Sequence, residues 1–459
     1  MKQRTLRLAA TGARVATGAA VAVACVIGVI AAVAAPWPSL HNEPATTIVT
    51  PVPGDTTLVC NGSFRALGRE SGQADLMVSA GLPDLVVDAQ QDAVDTDPLR
   101  MPEIVGGEGA QAVTARVQDR DVPLVAAGES IRLQEDDLRG FAAAPCRPAG
   151  MRHWLVGGDI STGASDIILL SNPGSVPATV DFTVYGVQRA TSTTIVPPLT
   201  QIGLPLASVA SGQQRPVVEV VSTGAPVRAT LQSALTRTLE PAGIDLQDGL
   251  GAPQSQLTIV GVRAVPDATG DDATGVVLRI LAPDDEAQAT VRVYAEGAVA
   301  ASDEYTVDLS AGIPNEIALT NLPGGAYDIH IEATEPVVAA ARQTQRSGRH
   351  QDFSWMLPAP RLQGDVMFEV LRGAPGVLFL RNAEAESVTV TVEGADDPTI
   401  ELAAGGTATV PLNAGSYTLK APSAVHAAVS LLSESDEPAI AGWPLWSPPA
   451  TQQPIIVHH

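Results

Sequence analysis

A strand–turn–strand passage, Ala164–Gly186, constrains the fold more than any other stretch of this 459-residue sequence. It begins with the apolar run Ile167–Leu170, turns at Asn172–Gly174 and continues as an alternating segment, Val180–Tyr185. Alternation with a period of two places every second side chain on one face, which is typical of a strand that covers a core. The passage therefore predicts two antiparallel strands joined by a tight turn.

Two weaker copies of this passage follow. Val276–Leu281 with Thr290–Tyr294 forms one copy, and Val377–Asn382 with Val388–Gly394 forms the other. Units of roughly 90–110 residues with six or seven short strands are too long for solenoid repeats and suit antiparallel sandwiches. We therefore predict a mainly β chain of tandem immunoglobulin-like β-sandwich domains after an N-terminal transmembrane helix.

The later halves of the second and third units recur as well. Pro336 and Ala424 are 88 positions apart, and so are Trp355 and Trp443. An equal offset predicts that one pairing register serves the later strands of both units.

The N-terminal segment reads as a membrane span. Four basic residues up to Arg14 precede an uncharged run, Val15–Ala35, whose 21 residues would span about 31 Å as a helix. Basic residues before the run predict a cytoplasmic N-terminus and an extracytoplasmic body. The alternatives are a signal peptide cleaved near Ala32–Ala35 and a lipid-modified Cys25. The length of the run and Pro36 directly after it favour an uncleaved anchor.

Composition narrows the class of partner. The chain carries 50 acidic and 27 basic residues, for a net charge of −23, which argues against a nucleic-acid partner because phosphate backbones need a basic surface. In an exported body, Cys60 and Cys146 predict a disulfide, with two buried free thiols as the alternative.

The predicted organisation has seven parts. They are a basic cytoplasmic segment (1–14), the anchor (15–35), a Pro-rich spacer (36–57), a disulfide-bracketed β domain (58–150), and three β-sandwich repeats (151–253, 254–360 and 361–459).

Two sets of residues are candidates for ligand binding. Tryptophans at the unit ends would stack on sugar rings or pack within and between domains; they are Trp355, Trp443 and Trp446. The basic residues near His350 would meet an anionic envelope polymer or lipid headgroups, or lie on an exposed hairpin; they are Arg342, Arg346 and Arg349.

No motif indicates catalysis, a metal or a cofactor. The histidines are scattered, no nucleophile elbow is present, and the carboxylate pairs fall in turn-like segments. Asp267–Gly275 is a candidate calcium loop, although it lacks EF-hand spacing.

Cys60, Cys146, His153–Gly158 (HWLVGG) and Ile167–Gly186 together resemble a family of actinobacterial cell-envelope proteins of unknown function. The resemblance covers about residues 58–450 and is most specific over 146–186. It implies secretion, membrane attachment and a β-rich body, and it supplies no activity.

The sequence thus predicts a non-enzymatic, membrane-anchored extracytoplasmic scaffold or binding protein of the cell envelope, with envelope proteins or wall glycans as partners. A wall-polymer binding module that uses the tryptophans is the alternative, and an enzyme with a site between domains is a third possibility.

Overall fold

The structure is a computed structural model. It describes residues 2–34, 46–49, 53–69, 72–73, 76–90, 94–118, 121–265, 275–320, 322–433, 435–448 and 455–458. The chain divides into two compact units, Met1–Pro51 with Gln453–His459, and Val52–Gln452. Most of the predicted spacer and the candidate calcium loop lie outside the described residues.

The smaller unit begins with helix α1, Lys2–Ala34, and continues with strand β1, Thr46–Val49. Within α1, Gly12–Val33 is long and apolar enough to cross a membrane. The predicted N-terminal apolar helix is therefore confirmed, and such a helix fits a membrane anchor and a signal sequence equally well.

The larger unit contains four successive groups of strands. The first group forms three three-stranded sheets, ordered β10-β9-β5, β2-β8-β6 and β3-β4-β7. All its pairs are antiparallel except β4 with β7. Its strands are β2 (Thr56–Val59), β3 (Phe64–Leu67), β4 (Met77–Gly81), β5 (Asp84–Ala89), β6 (Val94–Pro98), β7 (Ile104–Val105), β8 (Gln111–Ala115), β9 (Val125–Gln134) and β10 (Arg139–Pro145).

The second group is a sandwich of two four-stranded sheets, β11-β16-β13-β14 and β15-β12-β17-β18. Its core contains Ile168 and Leu170 from one sheet and Val180 and Phe182 from the other, as the alternation predicts. Its elements are β11 (Arg152–Leu155), β12 (Ile167–Asn172), β13 (Ala178–Tyr185), β14 (Ala190–Val196), β15 (Thr200–Pro205), α2 (Leu206–Val209), β16 (Val217–Thr223), β17 (Arg228–Arg237) and β18 (Glu240–Asp248).

The third and fourth groups are sandwiches of seven strands each. The third comprises β19 (Gln254–Ala264), β20 (Val276–Leu281), β21 (Ala287–Ala295), β22 (Asp303–Leu309), β23 (Asn315–Ala318), β24 (Gly325–Ser347) and β25 (His350–Met356). The fourth comprises β26 (Leu362–Val370), β27 (Gly376–Asn382), β28 (Val388–Glu393), β29 (Thr399–Leu402), β30 (Thr407–Leu412), β31 (Gly415–Ser433) and β32 (Ala439–Pro444).

One pairing scheme recurs in the last three groups. The long strands β24 and β31 each join both sheets of their group. The first half of β24 pairs with β19 and β21, and the first half of β31 pairs with β26 and β28. The second half of β24 pairs with β20 and β25, and the second half of β31 pairs with β27 and β32. In the second group the same path is divided into β16 and β17. The mainly β, antiparallel architecture is confirmed, whereas the immunoglobulin-like type and the domain boundaries stay predictions.

The last strand of the chain, β33 (Ile455–His458), belongs to the smaller unit and pairs antiparallel with β1.

Candidate functional site

The final strands of the four groups meet at one buried carboxylate, Asp352 of β25. Its Oδ1 accepts a hydrogen bond from the backbone N–H of Ile244 in β18 at 3.2 Å. Its Oδ2 accepts from Phe141 in β10 at 3.0 Å and from Ile440 in β32 at 3.3 Å. One side chain thus binds the other three groups, and we call this arrangement the Asp352 junction.

Glycines leave room for the junction. A Cβ on Gly140 would lie 2.7 Å from Asp352 Oδ1, and one on Gly243 would lie 2.8 Å from the same atom. Burial raises the pKa of Asp352 well above its usual value, while the backbone N–H donors oppose that rise. Because Asp352 is completely buried, its carboxylate is closed to solvent and its role is structural.

Further buried polar groups connect neighbouring strand groups. Arg228 binds Asp248 at 2.7 Å within the second group and reaches the carbonyl of Pro145 in the first at 2.8 Å. Arg381 of the fourth group binds Asp328 of the third at 3.2 Å. The larger unit is therefore held together by hydrogen-bonded polar groups as well as by apolar packing.

A polar cleft of about 160 Å³ lies between the second and third groups. We call it the arginine cleft, since its lining includes Arg215, Arg237, Arg279 and Arg342. Trp355 also lines it, so the fold brings together two residues that the sequence singled out separately, Trp355 and Arg342. The other two arginines of that set lie elsewhere: Arg346 is half-buried and Arg349 is exposed in the β24–β25 turn.

The three candidate tryptophans occupy different environments. Trp355 is 5% exposed in a cluster with Trp154 and Phe353. Trp443 is also 5% exposed, within the core of the fourth group. Trp446 is half-buried, with the Arg147 guanidinium 3.6 Å from its ring centre.

The equal offset between Trp355 and Trp443 does not give them equivalent places, so the expectation of a single register is wrong in the final strands. Trp355 pairs with Arg342, whereas Trp443 pairs with Val429, one residue short of the position that the 88-residue offset requires. The turn before β32 is longer than the turn before β25, and a one-residue slip reverses the face of every side chain. Trp443 accordingly takes the core place of Met356.

A second cleft, of about 470 Å³, has Trp446 in its wall. We call it the tryptophan cleft. Gln254 and Gln256 of β19 line it, together with His426, whose Nδ1 donates to the carbonyl of Ala359 at 2.7 Å. Burial lowers the pKa of His426, so the ring is neutral near pH 7. This cleft offers amides and an aromatic ring.

The predicted disulfide is confirmed, since Cys60 and Cys146 are bonded. Together with Glu129 they are the one set of three potential metal-ligating side chains that comes close together in the described residues. Their sulfurs are bonded to each other, and Glu129 accepts hydrogen bonds from the backbone of Asn61 at 2.5 Å and Gly62 at 3.1 Å. In this oxidised state the set is structural.

Sequence reasoning missed the buried charges. Asp352 and Arg279 each lie within a strand, on its inward face. A charged residue in such a position needs a buried partner, and this is the signal by which sequence reasoning could have found them. The identity of each partner depends on chain segments far away in sequence.

Together these features define a disulfide-bonded protein of packed β-sandwiches with an N-terminal apolar helix. The chain belongs to a family of unknown function, DUF5719, whose sequence model matches residues 105–422. No curated protein and no solved structure matches the chain.

Proposed function

We propose that this chain is a membrane-anchored, extracytoplasmic protein of the cell envelope that acts without catalysis, as a scaffold or binding protein. The Asp352 junction is the observation that carries the proposal. A carboxylate that binds three other strand groups holds the four groups in a fixed arrangement. A protein that binds partners on a fixed surface loses less conformational entropy on binding, which suits a scaffold.

Two features support the envelope location. The N-terminal apolar helix is long enough to span a bilayer, and the Cys60–Cys146 disulfide suits an oxidising compartment. Separately, the acidic composition argues against a nucleic-acid partner. The resemblance to actinobacterial envelope proteins points the same way. N-terminal sequencing of the mature protein distinguishes an anchor, which keeps residues before 35, from a secreted form that has lost them.

The test of the scaffold is a pull-down of the full-length protein from crosslinked native membranes, with proteins and glycans both identified. A defined set of envelope-synthesis proteins, without glycan, supports the scaffold. Glycan that stays bound after the protein partners are removed contradicts it. A chain with α1 replaced by a cleavable signal peptide is the control for capture that depends only on the membrane.

A second candidate function, binding of a wall polymer, is favoured by the tryptophan cleft. Its volume lies within the range of ordinary ligand sites, and an aromatic ring beside amide groups suits stacking and hydrogen bonding to sugars. Trp446→Ala should remove glycan binding with the fold intact, whereas Trp443→Ala should lower stability. Equal glycan binding by wild type and Trp446→Ala contradicts this function.

A further inference from the structure

A further cavity lies between the first and fourth strand groups, and we call it the intergroup slot. Most of its lining is apolar, from the first group on one side and the fourth on the other; the apolar residues include Leu58, Val125, Ala127, Val366, Phe368 and Leu445. Its volume of about 80 Å³ has room for about five to eight water-sized groups. That space suits one apolar side chain together with its peptide group.

Three residues that line the slot carry buried polar atoms without a hydrogen-bond partner in the described part of the chain. These atoms are Oγ1 of Thr56, Nη1 of Arg147 and Oε2 of Glu369. Buried polar atoms without a partner are rare in folded proteins, because each loses its hydration and gains nothing in exchange. Three of them around one cavity indicate a site for a ligand that supplies both hydrogen-bond donors and acceptors.

The two ionisable residues of this set are held by their other contacts. The guanidinium of Arg147 lies 3.6 Å from the ring centre of Trp446. Glu369 is 4% exposed, and its Oε1 accepts a hydrogen bond from the Ser416 hydroxyl at 2.7 Å. The unpaired atoms of Arg147 and Glu369 therefore belong to side chains that need little further ordering when a ligand binds.

The charges at the slot nearly cancel. Arg147 and Glu369 are the charged residues of the lining, one of each sign. Asp248 and Arg228 act on Arg147 with opposite signs. Burial, together with the charge of Asp88, raises the pKa of Glu369 to about 7, so near neutral pH this carboxyl is partly protonated. The slot therefore favours a neutral ligand over an anion or a cation.

A peptide segment matches this lining better than a sugar does. Its carbonyl can accept from Arg147 and Thr56, its N–H can donate to Glu369, and an apolar side chain can fill the rest of the slot. A sugar ring carries several hydroxyls, and most of them would be pressed against apolar walls at a desolvation cost.

We propose that the intergroup slot docks an extended peptide segment of a partner protein, whose apolar side chain enters the slot and whose backbone binds Thr56, Arg147 and Glu369. The inference rests on the scaffold function, because it names the chemistry by which a partner is held. In the complex each of the three unpaired atoms gains a hydrogen bond, and the apolar walls are covered.

The test uses the full chain in phosphatidylcholine nanodiscs and saturation-transfer NMR. The probe is N-acetyl-leucine N-methylamide, one apolar residue between two peptide groups, compared with its serine analogue and with methyl glucoside. Thr56→Val and Glu369→Met each replace an unpaired polar group by an apolar one of similar shape. Ser430→Ala is the matched control, because the Ser430 hydroxyl is also buried without a partner among the described residues but lies outside the slot lining. Thermal unfolding of each variant accompanies the titrations.

We expect the leucine probe to bind saturably and about tenfold or more tightly than the serine analogue, because only leucine covers the apolar walls. Binding should weaken about two- to tenfold in Thr56→Val and in Glu369→Met, the scale of one hydrogen bond, and be unchanged in Ser430→Ala. Thr56→Val and Ser430→Ala should melt no lower than the wild type, since neither loses a hydrogen bond within the chain.

Binding of the leucine probe with this pattern supports the proposal. Preferential binding of methyl glucoside, binding of no probe, or equal binding by the wild type and both slot variants overturns it, as does equal weakening in Ser430→Ala. Thr56→Val decides the matter if Glu369→Met unfolds. The crosslinked pull-down tests the scaffold function separately: partners recovered without probe binding overturn the slot alone, and probe binding without recovered partners overturns the scaffold alone.

Discussion

Replacing Asp352 by alanine should strongly destabilise the larger unit. The change removes the acceptor of three backbone N–H groups, those of Phe141, Ile244 and Ile440, each on a different strand group. All three are then left in the interior without a partner.

The magnitude follows from the three donors. A buried donor that loses its acceptor costs about 1–3 kcal/mol, so the free energy of unfolding should fall by about 3–9 kcal/mol. For a cooperative unit of roughly 400 residues, the unfolding entropy per residue converts this into a drop of about 4–10 °C in melting temperature. Asp352→Asn keeps one carbonyl oxygen and should lose less.

The assay is thermal unfolding of the full chain in detergent at pH 7.5, followed by tryptophan fluorescence. The described tryptophans lie in the second to fourth groups, so the signal also reports whether the unit still unfolds in one step. We expect one transition in the wild type and in Asp352→Ala alike, as the calculated drop assumes, with the midpoint of the variant at the lower temperature.

Asp365→Ala is the control, since it removes an exposed strand aspartate and should shift the melting temperature by less than about 1 °C. A shift for Asp352→Ala as small as that of the control would refute the reasoning. It would mean that the three N–H groups find other acceptors.

Three other predictions follow from the same contacts. Gly243→Ala should lower the melting temperature in the same assay, because Gly243 has φ +116° and a Cβ there would lie 2.7 Å from Phe353, whereas Gly251→Ala, with open space around it, should not. The unfolding free energy should fall as pH rises from about 4 to 7: burial raises the pKa of Asp166 and of Asp245 to about 7, so over that window the folded chain binds more protons than the unfolded chain. Urea titrations at pH 5 and 8 check this, Asp166→Asn should reduce the difference, and higher stability at pH 8 would contradict it. Finally, Cys60→Ser with Cys146→Ser should cost about 4–5 kcal/mol, because the bond closes a loop with a sequence separation of 86; an unchanged urea midpoint would show that the unfolded chain gains little freedom.

Local patterning explains which features could be foreseen. The alternation of Val180, Phe182 and Val184 predicts a half-buried strand, and these residues do face the core of the second group. The N-terminal apolar run and the cysteine pair likewise depend on composition and compartment, not on the arrangement of the sheets.

The candidate site could not be predicted from local patterning. Trp355 and Arg342 were identified as separate candidates, and their meeting in the arginine cleft depends on the pairing of β24 with β25 and on packing against the second group. The matching offset of Trp355 and Trp443 was misleading, because turn length sets register and register sets the face on which a side chain lies.

The sequence by itself determined the strands, the core-facing residues, the disulfide and the apolar helix, because each depends on nearby residues or on a simple pairing. Only the tertiary structure decided that Asp352 joins four strand groups and that four arginines share one cleft. The three backbone N–H groups that bind Asp352 lie 88, 108 and 211 residues from it in sequence, and no local periodicity encodes which distant backbone N–H will meet a buried carboxylate.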